Sequence, residues 1–345
     1  MAFTHGKEYN LLIVTYETMR LRAAILPKLS CNVLVCDEGH RLRNQNGQLR
    51  EALSEVPCRH RILLSGTPMP NNVRELTSLV TFVTGLDAVP QDDEVFKALV
   101  RDVLLRREVA TLGGGLNIPM CSIYFVRCQA HSEAEEVVIS LHEVARVRRE
   151  CKVKLDVVEA LLAVLPSMDR IVIASYSVHV LDLVSELCHR HHWPFLRIDG
   201  ATSSTKRAEY VGIFPKSPER ILLLSCMAGG EGLNLQCANR LVLLDVYWNS
   251  SSDSQVIARV WRQGQTRRVF VYRLLLGGTV EEHMLGLQKA KDEDWAAFST
   301  SIAMKASTSS LEPAREIAEE GTDPLLPFVL LVGGLTGVVF KEAGK

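Results

Sequence analysis

The stretch 220–265, RILLLSCMAGGEGLNLQCANRLVLLDVYWNSSSDSQVIARVWRQGQ, limits the possible folds more than any other part of the chain. It contains two short apolar runs, 221–224 and 241–244, each bounded by polar or glycine-rich residues. Apolar runs without polar alternation are what strands look like when both faces are covered, as in a parallel sheet. The first run leads into Ala228-Gly229-Gly230-Glu231-Gly232-Leu233-Asn234, where glycines let the backbone approach a phosphate or a nucleic-acid backbone closely. The second leads into a Ser/Asp cluster, 250–254, suited to capping a helix. That helix presents Gln255, Arg259 and Arg262 at i, i+4 and i+7, on one face. Two guanidiniums fixed on one helical stripe can meet a polyphosphate from the side.

The same alternation extends in both directions. Strands are expected at 171–174, 195–198 and 269–275, and helices at 155–165, 178–189, 203–214 and from 279 to about 297. Nearer the N-terminus, 11–15 reads as a strand and is followed by a helical pattern to about residue 26, broken by Pro27. A buried strand at 32–36 ends in Asp37-Glu38-Gly39-His40, and one at 61–64 ends in Ser65-Gly66-Thr67-Pro68. Ligands of open α/β sheets collect at the carboxyl ends of strands, which is where these acids and hydroxyls fall. Phosphoryl transfer to water uses two such acids, one holding Mg²⁺ and one polarising the water. An isolated Asp-Glu pair is more often a solvated turn; its place after the buried strand expected at 32–36 argues for the chemical role.

Composition narrows the setting. With 345 residues there is room for two domains of ordinary size. Charged residues make up 23% and the formal net charge is −1, so nucleic-acid binding has to come from local patches. The nine cysteines are odd in number and scattered without a C-x-x-C, which fits reduced, mostly buried thiols in an intracellular protein. His189-Arg190-His191-His192 is read as a solvated helix end, because neighbouring helical side chains diverge. Arg146, Arg148, Arg149, Lys152 and Lys154 form a basic run, read as a solvated face because acids are interspersed.

The segment 255–265, QxxARxxRxGQ, resembles motif VI of superfamily-2 helicase-like ATPases of the SWI/SNF type, and 229–235 resembles motif V. The wording ARVWRQGQ is close to the recombination-repair branch of translocases. LLIVTYETMR resembles motif Ib, DEGHRLRN motif II, and LLSGTPMPNNVRELTSLVTFV motif III with its extension, although family members usually have Gln at the place of Pro70. RIVIASYSVHVLDLV resembles motif IV, RIDGATSSTKR the segment that contacts the tracking strand, and Leu104-Leu105-Arg106-Arg107 the arginine pair between the lobes. The resemblance implies two RecA-like doubly wound lobes, the first incomplete: a partial first lobe at 1–110, a shortened inter-lobe segment at 111–150, a second lobe at 151–298, and a tail of unknown role at 299–345. It implies ATP and Mg²⁺ as cofactors. Asp37 would be the metal-side acid (through water) and Glu38 the general base, with Arg259, Arg262 and Gln255 completing the catalytic set. Nucleotide contacts would come from His40, Gly230, Gly232, Leu233, Asn234 and Asp245. DNA contacts would come from Thr15, Tyr16, Ser175, Arg197, Thr202, Lys206, Arg207 and Gly229, and coupling from Ser65, Gly66 and Thr67. Acids and arginines are expected to face one another across a crevice.

No G-x-x-x-x-G-K-[ST] occurs in the sequence. In the family that loop precedes motif Ib and cradles the β- and γ-phosphates. Each charge-assisted hydrogen bond lost with it is worth roughly 1.5–3 kcal/mol. Two functions follow. One is a DNA-dependent ATPase and double-stranded DNA translocase acting in the nucleus, in recombinational repair or chromatin remodelling, with a recombinase filament or nucleosome as partner. The other is a non-catalytic DNA-binding or regulatory module derived from such a motor. A small kinase is a weaker third reading, opposed by the same missing loop. The apolar stretch 325–340 is shorter than the roughly 20 residues of a spanning helix and carries Pro327, Gly333, Gly334 and Gly337. It is read as an appended segment rather than a membrane anchor.

Overall fold

The computed structural model describes residues 10–22, 31–44, 47–65, 73–105, 118–128, 143–228, 232–247, 250–290 and 338–343. They fall into two compact units, the first ending before and the second beginning after the junction at 106–107.

In the first unit, β1 (Cys31–Cys36) and β2 (Cys58–Leu63) pair in parallel, with Val33 opposite His60 and Cys36 opposite Leu63. Helices α1 (Tyr16–Leu21), α2 (Gln48–Ser54), α3 (Val73–Thr84) and α4 (Asp93–Val103) complete it. Met19, Cys36, Leu42, Leu53, Leu79 and Phe82 form the core on one side of this two-stranded sheet. On the other side Val33, Val35, Ile62 and Leu64 are 44–55% exposed. The expectation of strands covered on both faces is therefore corrected here: one face is bare. The expected strand at 11–15 is corrected too, since the segment is extended without ladder pairing and Leu11 and Ile13 are exposed. An apolar run becomes a strand only where a neighbour offers free N–H and C=O groups.

The second unit is built on a seven-stranded sheet. Its strands are β3 (Cys121–Cys128), β4 (Ile171–Ser175), β5 (Phe195–Ile198), β6 (Ile221–Ser225), β7 (Arg240–Leu243), β8 (Val269–Leu276) and β9 (Val338–Ala343). The order is β5-β6-β4-β7-β8-β3-β9, all parallel except β9, which runs antiparallel to β3 at the edge. Helices α5 (Glu143–Ala163) and α6 (Val178–Arg190) pack on one face, against Ile171, Ile173, Leu223, Tyr272 and Leu274. Helices α7 (Ser204–Ile213) and α8 (Ser250–Val260) pack on the other, against Val172, Ala174, Leu222, Leu224 and Leu241. Adjacent residues of one strand thus feed two separate cores, which is why the runs read as continuously apolar.

Handedness follows from the order. The connections that step toward β5 carry α5 and α6 on one face, and those that step back carry α7 and α8 on the other. Right-handed crossovers produce that sorting, and the result is a doubly wound sheet. The chain turns back at the β5 edge, and the connections that leave the neighbouring strands β4 and β7 run in opposite directions on opposite faces, so the ends of β4 and β7 border the crevice where such folds bind ligands.

Two expected boundaries shift. The segment 111–150 is not a separate connector, because Cys121–Cys128 inside it is a strand of the second sheet. Its expected loop at 113–115 lies outside the described residues, as does most of the expected helix at 133–147; α5 begins at Glu143 and absorbs the helix expected from 155. The tail at 299–345 is corrected in part, since Val338–Ala343 extends the sheet. Among the described residues no helix is long and apolar enough to cross a membrane, and most of 325–340 lies outside them.

Candidate functional site

In the first unit the acids sit on the turn that leaves β1. Cys36 O accepts from Leu64 N (2.9 Å) and Gly39 N donates to Leu64 O (2.7 Å), so the turn is stapled to the end of β2. Gly39 is needed at that staple: a Cβ there would lie 2.9 Å from Cβ of Leu63. Glu38 is left-handed at φ 49°, a conformation that costs a non-glycine residue energy and concentrates at functional turns. Asp37 is exposed, and its Oδ1 accepts from Glu38 N at 2.9 Å. His40 Nδ1 lies 3.3 Å from Ser65 Oγ and 3.4 Å from Glu38 Oε2. Four predicted residues, Asp37, Glu38, His40 and Ser65, are thereby brought together. Burial pulls the His40 pKa below its ordinary value, so the ring is neutral at pH 7. Gly66 and Thr67 lie outside the described residues, as do Pro70 and Arg106-Arg107.

Thr15 and Tyr16 have structural partners here. Thr15 Oγ1 caps α1 by accepting from Thr18 N (3.2 Å). Tyr16 donates its hydroxyl to Asp37 O (2.6 Å) and lies under the Arg41 guanidinium, 5.0 Å from the ring centre. Tyr16 thus braces the acidic turn, a contact that residue spacing does not encode.

An exposed carboxylate at a strand end is a donor that a hard divalent cation takes, so Asp37 fits Mg²⁺. For the phosphates of ATP, this unit offers the acidic turn without a lysine-bearing glycine loop.

In the second unit the predicted residues separate into three places. On α8, Gln255, Arg259 and Arg262 are half-buried and follow the predicted spacing, Arg262 lying just past the helix end. The helix starts at Ser250, so the Ser/Asp cluster forms its first turn instead of preceding it. Arg259 O accepts from Leu235 N (3.0 Å), which ties α8 to the turn containing Gly232, Leu233 and Asn234. Gly232 has φ 58° and is exposed; Leu233 is buried in the core and Asn234 is exposed, its Oδ1 accepting from Gln236 N at 3.4 Å. Gly229 and Gly230 lie outside the described residues. Gln265, buried after the helix, donates to Ala238 O and Val260 O and accepts from Thr266 N and Arg267 N. One amide with every group satisfied fixes the register of the whole turn.

The second place is the end of β4. Ser175 Oγ donates to Asp245 Oδ2, and Tyr176 N donates to the same oxygen at 2.8 Å. A residue expected at DNA and one expected at nucleotide are thus bonded directly. The third place is the segment after β5, where Arg197, Asp199, Ala201, Thr202, Lys206 and Tyr210 line an open recess of about 230 Å³. Arg197 is committed to Asp182 (2.7 Å) and Asp199 (2.8 Å). Arg207 donates to Thr202 O, Ala228 O and Asp199 O. Thr202 Oγ1 closes the loop by accepting from Asp199 N. These three build the recess, and Lys206, exposed on the first turn of α7, is its cation toward solvent.

Sequence reasoning overlooked a buried polar group beside α8. Asp253, 1% exposed, accepts from the Tyr176 hydroxyl (2.9 Å) and from Arg273. Burial pushes its carboxyl up, and the hydrogen bonds and the Arg273 charge pull it down. The overlooked signal was positional: Asp253 falls on the buried side of a helix whose other side carries the arginines. Lys154 is corrected as well. It is no solvated cation, being 6% exposed, with Nζ on Glu281 (2.6 Å) and on Leu244 O (2.7 Å). His191 pairs with Glu159 (2.7 Å) and stacks on Trp193, and among the described residues no group of three or more His, Cys, Asp or Glu side chains is arranged to hold a metal ion by itself.

Two family models match. The SNF2-related domain covers residues 2–168 and the helicase conserved C-terminal domain covers 153–264. The chain belongs to the SNF2 family of helicase-like proteins. Within the family it is similar to the recombination-repair branch. The chicken protein "DNA repair and recombination protein RAD54-like" is 32% identical over 81% of this chain and 50% of its own length. The rice protein "DNA repair and recombination protein RAD54" is 31% identical over 81% of the chain and 39% of its own length. The Arabidopsis "CHD3-type chromatin-remodeling factor PICKLE" is 29% identical over 82% of the chain and 25% of its own length. The chain spans about half the length of the first of these relatives. The overlap of the two matches at 153–168 begins within α5, whose Val157, Val158, Leu161 and Leu162 pack against the second sheet.

Proposed function

We propose that this SNF2-family chain is part of a DNA-dependent ATPase that translocates along duplex DNA, in nuclear recombinational repair or chromatin remodelling. The observation that carries the reading is the turn at 37–40, where a strained Glu38, an exposed Asp37 and a neutral His40 are stapled to the strand end that bears Ser65. An idle turn has no reason to hold a left-handed glutamate against a histidine. Asp37 would hold Mg²⁺, which neutralises the charge developing on the phosphates. Glu38 would accept a proton from the attacking water, and neutral His40 would keep that carboxylate aimed. Arg259 and Arg262 would stabilise charge on the transferred phosphoryl group, with Gln255 beside them. Lys206 and the backbone around Ser175 would take DNA phosphates, which carry no sequence information. A recombinase filament and a nucleosome are the two partners proposed.

The test is phosphate release by the purified chain with and without duplex DNA. The expected outcome is DNA-stimulated release, lost in Arg262→Ala while DNA binding persists. Normal hydrolysis by Arg262→Ala would overturn the arginine's role. DNA binding without any hydrolysis would favour the second reading, a non-catalytic DNA-binding module.

A further inference from the structure

Five residues from five different elements close a ring behind the arginine helix. Tyr176, on the turn after β4, donates its hydroxyl to Asp253 of α8 at 2.9 Å. Asp253 accepts from Arg273 of β8, and Arg273 also donates to Gln288 Oε1 at 3.0 Å. Gln288, on the helix 280–290, donates to the carbonyl of Tyr247 after β7. The Tyr247 ring stacks on that of Tyr176, with centroids 4.1 Å apart and planes 11° from parallel. Asp253 and Gln288 are each 1% exposed.

Tyr176 also ties the ring to the end of β4. Tyr176 follows Ser175, and Asp245 Oδ2 holds both the Ser175 hydroxyl and the Tyr176 amide. Ser177, next in line, caps α6 through Val180 N. A ligand that takes the Ser175 hydroxyl from Asp245 would act on the carboxylate oxygen that also holds the amide of Tyr176, the residue whose hydroxyl reaches Asp253. At its other end α8 is anchored independently. Leu235 N holds the Arg259 carbonyl, and Trp261 Nε1 donates to Pro119 O at 2.7 Å. Between these points Val256, Ile257 and Val260 seat α8 in the core, and Asp253 links its first turns to Tyr176, so a change at that link bears on the side chains that α8 carries.

We propose that Asp253 is a positioning residue through which the Ser175–Ser177 turn sets the aim of Gln255, Arg259 and Arg262. A phosphate backbone seated on the turn would reset the Tyr176–Asp253 hydrogen bond, so that DNA and the arginine stripe report to each other inside one unit. This rests on the DNA-contact reading of Ser175 given above and adds the path by which it reaches α8.

The test is amide hydrogen exchange on the full chain, free and with a short DNA duplex. The wild-type protein is expected to slow exchange across 250–262 about fivefold or more when DNA binds, the lower end of ordinary coupling strengths. In Tyr176→Phe that response is lost, while DNA affinity and protection at 203–214 stay within about twofold. A merely structural role would change the exchange of 250–262 with and without DNA equally. Should Tyr176→Phe fail to fold, the wild-type measurement decides alone. DNA binding without any response at 250–262, or an undiminished response in Tyr176→Phe, overturns the proposal but leaves the DNA-binding reading intact. Absence of DNA binding overturns both.

Discussion

Val172 and Val35 are both valines in parallel strands, yet the first is wholly buried and the second is 55% exposed. The contrast extends to the units that contain them. Around Val172 the strands β4 and β6 are covered by helices on both faces, and Ile171, Val172, Ile173 and Leu222 to Leu224 are all at 0% exposure. Around Val35 two strands carry one core on one face and bare aliphatic side chains on the other. A parallel sheet depends on two covers because its strands are apolar throughout. The second unit therefore has the means to stabilise itself, whereas the first holds its acidic turn on a thin platform, by staples and caps.

Truncations on the two platforms measure that difference. Leu223→Ala, at a fully buried site in β6, is expected to cost about 3–4 kcal/mol, within the range for buried leucines. Val35→Ala removes two methyl groups from a surface and is expected to change stability by less than about 0.5 kcal/mol. Urea midpoints of the two variants decide the matter. If Val35→Ala costs as much as Leu223→Ala, that face of β1 is covered in solution and the comparison breaks.

A smaller effect sharpens the picture within the second unit. The Lys154–Glu281 pair joins α5 to the helix 280–290, and Glu281 also accepts from Leu276 N at 2.7 Å. Removing one partner of a fully buried pair costs about 3–5 kcal/mol. Glu281 keeps a side-chain exposure of 26%, so water screens the orphaned carboxylate and Lys154→Met is expected to cost about 2 kcal/mol. The check is the same denaturation midpoint, together with faster amide exchange at 280–290. An unchanged midpoint would mean that this helix is held by apolar packing alone.

How much of this could be read beforehand differs between the units for the same reason. In the second, the runs at 171–174, 195–198, 221–224 and 269–275 became strands within a residue of their expected ends, because burial on both faces leaves a signal that needs no knowledge of neighbours. The strand β3 was missed: CSIYFVRC carries Ser, Tyr and Arg, and Arg127 makes its ion pair with Glu282 only once the fold has formed. In the first unit, 11–15 has the composition of a strand but no ladder partner. At the candidate site, the residue types at 37–40 and on α8 were legible because each chemistry admits few alternatives. The braces were not: Tyr16 on Asp37, Tyr176 on Asp253 and Gln265 across its turn are contacts between residues 21, 77 and 27 positions apart or more specific than spacing encodes. Arg197 and Arg207 show the converse. The family resemblance marked them as phosphate contacts, and the fold uses their guanidiniums to hold its own carboxylates and carbonyls.

The acidic turn allows the comparison to be tested by pH, with the smallest expected effect. His40 in the first unit has its pKa lowered from 6.5, first by burial and then by the Arg43 and Arg41 charges, against the opposing pull of Glu38 and Glu75. The unfolded chain therefore binds a proton at this residue more readily than the folded one does. The resulting stability is fully present above the unfolded value of 6.5 and is lost as pH falls through 6.5 toward the lowered value. Carboxylates elsewhere titrate lower, so the informative quantity is the difference between wild type and His40→Gln, which cannot gain this charge. Exchange at 37–42 is expected to quicken between pH 7 and pH 5.5 in the wild type, after correction for the intrinsic rate, and to stay flat in His40→Gln. The second unit's strands, at 171–175 and 221–225, should not respond over the same interval in either protein. Equal slopes for wild type and variant at 37–42 would mean that the histidine is solvated in both states, and that the turn is held by its backbone staples to β2 without help from a neutral ring.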